Sequence, residues 1–370
     1  MKLASTILLL GVAALLGLGT VMLYSSPVGA SLLSRQLCWC ALGLVVGLAM
    51  FHVDYKHLKK IAWPLLIVTL VLLVAVLFPQ VGTWRGGARR WFNLGFMLFQ
   101  PSELAKLAVI IALAHYADCF KSKMSELKVG LLRPALFILP LLFLIYKEPD
   151  YGTMLLLAAV SAVLLLVAGA RWKLVTVLSL LGLAIVAVSI WHNPVRLARI
   201  MDYINGTGYQ SEQAKIAVGS GGLTGVGLGD GRQKFGYVPE NHTDFILSII
   251  GEELGLVATL GVVLTFFALM ICGVYIASKA RDRFGHLLAT GLTFLIGLQA
   301  FINIGVVTGA LPNKGLALPF VSYGGSNLVM MLAAVGLLCN VARHAQPGLR
   351  VGGRSFNPFT PADVPSTQLS

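Results

Sequence analysis

The feature that most constrains this chain is a series of apolar stretches, each about twenty residues long, repeated along nearly its whole length. A helix of that length matches the roughly 30 Å hydrocarbon core of a bilayer. Within that core every backbone N–H and C=O needs an internal partner, and helices supply one locally. Hydropathy places spans near 4–24, 30–51, 61–79, 100–119, 132–147, 151–170, 173–191, 250–277, 285–309 and 317–341. The expected fold is all-α, a polytopic membrane protein of about ten transmembrane helices. Only 12% of residues are charged and 57% are hydrophobic, against roughly 25% charged in a soluble domain. The first stretch, after Met1-Lys2, outruns a usual signal-peptide core and is expected to remain as the first helix. Residues 1–344 form the membrane domain, and the Pro-, Gly-, Ser- and Thr-rich tail 345–370 is expected to be disordered.

The net charge of +13 is not a nucleic-acid signal, because the basic residues sit in short clusters between spans and no nucleic-acid-binding motif accompanies them. Alternate connections are enriched: Lys2; Lys56, Lys59 and Lys60; Lys121, Lys123, Lys128 and Arg133; Arg171 and Lys173; Lys279, Arg281 and Arg283; Arg343, Arg350 and Arg354. These sixteen of 28 basic residues mark the cytoplasmic side, with both termini on it. The opposite side carries two long loops, 80–99 and 192–249, the larger lying between the seventh and eighth spans. Cations there oppose the topological preference. Arg85, Arg89, Arg90, Arg196, Arg199, Lys215, Arg232 and Lys234 therefore suggest an anionic ligand at the outer leaflet, or pairing with head groups and nearby carboxylates. The five cysteines, Cys38, Cys40, Cys119, Cys272 and Cys339, have neither metal-site nor disulfide spacing.

Five segments carry the polar chemistry. Gln100 to Lys106 opens the fourth span with Pro101 in its first turn. It sets Glu103 and Lys106 three apart on one face, as a site or as a structural ion pair. Lys147 to Thr153 is a tight charged turn, which by itself reads as an ordinary solvated loop. Seven glycines between Gly219 and Gly231 could present N–H groups to an anion. They lack the strand and the Lys-Ser/Thr of a nucleotide P-loop, so a flexible loop near a bulky substrate is expected. Asp244, with His242 two residues before it, stands where polar loop becomes apolar helix. Partial burial there would raise its basicity and suit a general base, whereas Thr243 or Asp244 could instead cap the helix. Finally, Asn303 lies within the ninth span, and Leu311 to Asn327 leads into the tenth with the outer cation Lys314; Gly324 and Gly325 there suggest close packing.

Taken in order, Gly87-Ala88-Arg89-Arg90-Trp91, Gln100 to Lys106, Pro149 to Thr153, Gly219 to Gly255 and Pro312 to Asn327 resemble the SEDS family (shape, elongation, division and sporulation) of bacterial cell-wall polymerases. Asn313-Lys314-Gly315 and the run His242 to Glu253 resemble its cell-division branch more than its elongation branch. The resemblance implies a peptidoglycan glycosyltransferase of the bacterial inner membrane that polymerises lipid II, a disaccharide-pentapeptide on undecaprenyl pyrophosphate, at that membrane's outer face. The family's essential aspartate falls on Asp244, taken as the base for the acceptor hydroxyl. Glu103 and Lys106 match residues lining a central cavity. Arg89, Arg90, Arg196, Arg199 and Lys314 become candidates for holding pyrophosphate, with His242 and Ser322 as further substrate contacts. The implied partners are a class B penicillin-binding protein transpeptidase and other division proteins. No ligand cluster demands a metal, although magnesium or manganese could assist at the pyrophosphate. A lipid II flippase and a recruitment scaffold are the rival functions; the apolar inner halves of the spans argue against a polar crossing path.

Overall fold

A computed structural model of the chain describes residues 1–26, 29–85, 87–95, 98–240 and 242–345; the side chains of residues 29–31, 195, 196 and 199 are not described. The expected disordered tail lies, from residue 346 onward, outside the described residues. The helices are α1 (Lys2–Ser25), α2 (Gly29–His52), α3 (Leu58–Leu77), α4 (Pro101–Cys119), α5 (Arg133–Lys147) and α6 (Tyr151–Val167). They continue with α7 (Trp172–Trp191), α8 (Pro194–Asn205), α9 (Tyr209–Ser220), α10 (Ile246–Ser278), α11 (Arg283–Val307) and α12 (Gly325–His344). Among the described residues, eight helices are long and apolar enough to cross a membrane, and α6 is a shorter apolar helix. The protein is thus a multi-pass membrane protein. The fourth stretch, α4, lies outside that set of eight and forms the buried centre of the bundle with α11 and α12.

Small residues let the helices approach closely. A side chain at Gly47 would press on the Leu332 carbonyl, and one at Gly336 would collide with the Gly47 backbone, so α2 and α12 meet backbone to backbone. A Cβ at Gly325 would collide with the Trp39 ring, so this glycine serves close packing, whereas a Cβ at Gly324 would meet only Asn327 at 3.8 Å. Where α2 ends, its last carbonyls have no helical partner. Asn340 of α12 supplies one, donating from Nδ2 to the carbonyls of Met50, Phe51 and Val53 at 2.9, 2.8 and 2.6 Å and accepting from Tyr55 N at 3.3 Å.

Three expectations change. The loop 80–99 contains a small antiparallel sheet, β1 (Gly82–Arg85), β2 (Ala88–Asn93) and β3 (Leu98–Phe99), in the order β1-β2-β3. Gly87 in the β1–β2 turn takes φ +81°, open to glycine without strain. The loop 192–249 folds into α8 and α9 before reaching α10. The tenth span begins at Gly325 rather than near 317, because Leu316 to Val321, although apolar and mostly buried, is irregular backbone around Pro319 and Phe320.

The eighth apolar stretch is also longer than hydropathy indicates. Helix α10 has 33 residues, about 50 Å at 1.5 Å per residue, well beyond a bilayer core. It is broken at Gly255 (φ 77°, ψ −174°), leaving a short buried first segment and a second segment of spanning length.

Replacing Asn340 with alanine removes the only side-chain donor satisfying three carbonyls at the α2 end and should cost about 1–3 kcal/mol. A thermal-unfolding midpoint several degrees lower in detergent is the expected outcome. Asn340→Asp should not restore it, since it keeps the acceptor and loses the donor.

Candidate active site

The site forms at the end of the bundle that carries the β-sheet, where four irregular segments converge. Asp244 lies in the turn before α10. The capping position is Phe245, with no side-chain cap hydrogen bond, so neither Thr243 nor Asp244 caps the helix. The Thr243 hydroxyl instead donates to the Glu240 carboxylate at 3.0 Å. The Asp244 carboxyl is left half-buried beside the α11–α12 connector, where a Cβ on Gly315 would stand 3.4 Å from its Oδ2. Burial, then the carboxylates of Glu240 and Asp150, push Asp244 up to about 7, and the Arg90 guanidinium pulls it back. A carboxyl tuned near neutrality can both take and return a proton.

The turn and the connector are tied by amides and a hydroxyl. Asn303 of α11 donates to the Asp244 carbonyl at 2.8 Å and to the Leu316 carbonyl at 2.7 Å. Gln299, one helical turn earlier, donates to the Ala317 carbonyl at 2.9 Å. Ser322 is buried; its hydroxyl donates to the Thr243 carbonyl at 2.6 Å and accepts from Leu318 N at 2.8 Å. The Ser322 hydroxyl hydrogen is thus committed to the backbone next to Asp244. His242 is held by its carbonyl, which accepts from Tyr323 N at 2.9 Å, and its ring lies 6.0 Å from the Tyr323 ring. Burial keeps its imidazole below the ordinary histidine range, with Glu240 raising and Arg85 lowering it, so it is neutral at neutral pH. Glu240 (φ 55°) and Phe320 (φ 66°) both take left-handed backbone on either side of the site, strain of a kind that gathers at functional centres.

Glu103 and Lys106 form the buried ion pair that their spacing on one face of α4 allowed. They are 6% and 0% exposed. Lys106 Nζ reaches both Glu103 oxygens at 2.9 Å and Gln299 Oε1 at 2.9 Å, and Asn327 donates to Glu103 at 2.9 Å. All three ammonium protons have acceptors. Through Gln299 this pair supports the connector from below.

The cations divide. Arg90 donates from Nε and Nη2 to the carbonyls of Glu148 and Pro149 at 2.7 and 2.6 Å, which pins β2 to the α5–α6 turn and keeps its charge near Asp244. Arg89 stacks on Trp84, its cross-strand partner, at 5.3 Å, facing away from that contact. Lys314 is half-buried, lowered from the ordinary lysine value by that burial, and without a hydrogen-bond or ion-pair partner among the described residues. Arg196 and Arg199 sit on α8, and their side chains lie outside the described residues.

The charged turn between α5 and α6, which by itself reads as an ordinary solvated loop, completes the site. Asp150 accepts from Thr153 N at 3.1 Å and from Gln100 Nε2 at 3.2 Å. Glu148 is fully buried with both oxygens unpartnered, and burial followed by Asp150 pushes it up to about 9 against the pull of Arg90. The charged turn is thus part of the site. Its signals in the sequence were its charge at a span end and the family resemblance of Pro149 to Thr153.

The glycine-rich segment does present its N–H groups to anions, but these are internal. Glu252 accepts from Arg232 N and Gln233 N at 2.8 and 3.2 Å, and Glu253 from Gly229 N at 3.0 Å. Lys234 pairs with Glu253 at 2.6 Å, both buried, and Ser25 of α1 donates to the same carboxylate. The run is anchored around the α10 break, which corrects the expectation of a flexible loop beside substrate.

Fold and site together describe a multi-pass membrane enzyme with a half-buried carboxyl near neutrality at one mouth of its bundle. The chain belongs to the FtsW/RodA/SpoVE family of cell cycle proteins, whose model matches residues 5–347. It is similar to a protein of Trichlorobacter lovleyi named as a probable peptidoglycan glycosyltransferase FtsW, 42% identical over 91% of this chain and 92% of that one. The stage V sporulation protein E of Bacillus subtilis is 40% identical over 90% and 95%. Among solved structures, one titled for coordinated polymerization and crosslinking by a peptidoglycan synthase complex matches with a TM-score of 0.78 and 30% identity over 92% and 98%. Thermus thermophilus RodA matches with a TM-score of 0.71 and 32% identity over 91% and 96%.

Followed by difference infrared spectroscopy, the Asp244 carboxyl should titrate with a midpoint near 7. Removing the neighbouring negative charge in Glu240→Gln should lower that midpoint, and removing the positive charge in Arg90→Gln should raise it. A wild-type midpoint at the ordinary value of about 4 would contradict the site described here.

Proposed function

We propose that this chain, a peptidoglycan glycosyltransferase of the cell-division type, polymerises lipid II with Asp244 as the general base. The half-buried carboxyl tuned to about 7 at the mouth of the bundle carries this reading. The C4 hydroxyl of one disaccharide attacks the anomeric carbon of another. Its proton passes to Asp244, the new β linkage forms, and undecaprenyl pyrophosphate leaves with the electron pair of the broken bond. Lys314, unpartnered and half-buried in the connector beside Asp244, supplies a fixed positive charge for the departing pyrophosphate, where such charge helps most. Arg196 and Arg199 of α8 are further candidates for that anion. Among the described residues no three of His, Cys, Asp and Glu form a metal cage; magnesium or manganese would arrive on the pyrophosphate itself. In this reading the mouth opens on the outer side of the inner membrane, with ten crossings and both termini in the cytoplasm, and the alternation of basic connections along the sequence supports it. A class B penicillin-binding protein is the proposed transpeptidase partner, alongside other division proteins, and the synthase-complex title of a structural relative supports that pairing.

Purified protein given labelled lipid II should make glycan strands. Asp244→Ala and Asp244→Asn should each reduce the rate by at least roughly 100-fold while keeping the thermal midpoint. A variant that polymerises normally would remove Asp244 as the base, and an inactive variant that still localises to division sites would exclude a pure scaffold. Lys314→Met should lower the maximal rate by roughly 100-fold; an unchanged rate would place the pyrophosphate elsewhere.

A further inference from the structure

Between α8, α9 and the end of α11 lies a cavity of about 270 Å³, bordered by Asp202, Tyr203, Ser211, Glu212, Lys215 and Gly309 among others. Its walls are fixed to the connector of the site. Tyr203 donates to the Ala310 carbonyl at 2.8 Å, and Asn313 donates to Gln210 at 2.7 Å, two residues from the Gly315 that faces Asp244. The Lys215 stem lies against Gly309, where a Cβ would stand 2.8 Å from its Cε. Three charged groups thus share one cavity, two negative and one positive. None belongs to the three ion pairs among the described residues, Lys59–Asp118, Lys106–Glu103 and Lys234–Glu253. Among the described residues the Asp202 carboxylate has only a long 3.5 Å contact from the Thr207 hydroxyl.

Opposite charges that line one cavity without pairing are complementary to a ligand with the reverse pattern, here ammonium and carboxylate on one molecule. The cavity is open on one side and Asp202, Glu212 and Lys215 are exposed along it, so an extended peptide segment can lie across it. We infer that this cavity binds the peptide stem of the lipid-linked disaccharide, with Asp202 and Glu212 holding a side-chain ammonium and Lys215 a carboxylate. This rests on the reading of the chain as a lipid II polymerase. The stem would then position the sugar at Asp244 and make the enzyme sensitive to the peptide as well as to the glycan.

Binding separates this inference from the polymerase reading. Fluorescent lipid II with a free ammonium on the third stem residue, and the same molecule acetylated at that amine, are titrated onto full-length Asp244→Ala protein in nanodiscs. The free form should bind roughly threefold to tenfold more tightly, the range of one or two partly solvated ion pairs. Adding D202N and E212Q should abolish that preference without changing affinity for the acetylated form. Equal affinity for the two forms, or a preference that survives both substitutions, overturns the inference. Turnover by the otherwise unsubstituted protein is measured in parallel. Failure to polymerise lipid II alongside intact ammonium preference would sink the polymerase reading alone, and normal polymerisation with peptide-blind binding would sink this one alone.

Discussion

The site depends on one constraint: irregular backbone at membrane depth must find its hydrogen bonds within the protein. Leu316 to Val321 is mostly buried and runs without helical bonds, and the turn before α10 does the same. Asn303 satisfies a carbonyl from each, that of Asp244 and that of Leu316. One side chain therefore fixes the distance between the carboxyl and the connector bearing Lys314. Gln299 and Ser322 extend the same logic to Ala317, Thr243 and Leu318. A general base is useful only if held in place relative to the charge that assists it, and here backbone satisfaction does the holding.

The Glu103–Lys106 pair belongs to this support rather than to the reacting surface. An ion pair in a buried site is costly unless its remaining hydrogen bonds are met. Gln299 and Asn327 meet them, which ties α4, α11 and α12 together beneath the connector. The second buried pair, Lys234–Glu253, has the corresponding task at the α10 break. With Glu252 it collects the backbone donors of residues 229–233 and reaches Ser25 of α1. The long loop approaches the site as an anchored element.

Much of this was legible in the sequence. Helices stand at the expected stretches because apolar length alone demands them, and Asp244 stood out because a carboxylate at a loop-to-helix border is poised between solvents. The tie from the Ser322 hydroxyl to Thr243, 79 residues away, was hidden because nothing local reveals it. The glycine run was read correctly as an anion cradle and wrongly as open, since the anions, Glu252 and Glu253, lie about twenty residues downstream. The strands of 82–99 were hidden by Gly87, Arg89 and Arg90, which resemble a basic loop until Trp84 and Arg89 are paired across it. Glu148 and Asp150 sat in a turn that could have been solvated; burial made them part of the site, and burial is a tertiary property.

The electrostatics of the site suit an anionic substrate. With Glu240 and Asp150 nearby, Asp244 already stands near the upper limit at which a carboxylate is substantially ionised at neutral pH. A pyrophosphate brought close would add negative charge, raise its pKa further and hold it protonated, disabling the base. Arg90 offsets part of that penalty, since two carbonyls lock its guanidinium where it pulls the Asp244 carboxyl back. On the proposed reading Lys314, without a partner among the described residues, would meet the anion itself, and the cations of this face would then keep ionised the group that must react.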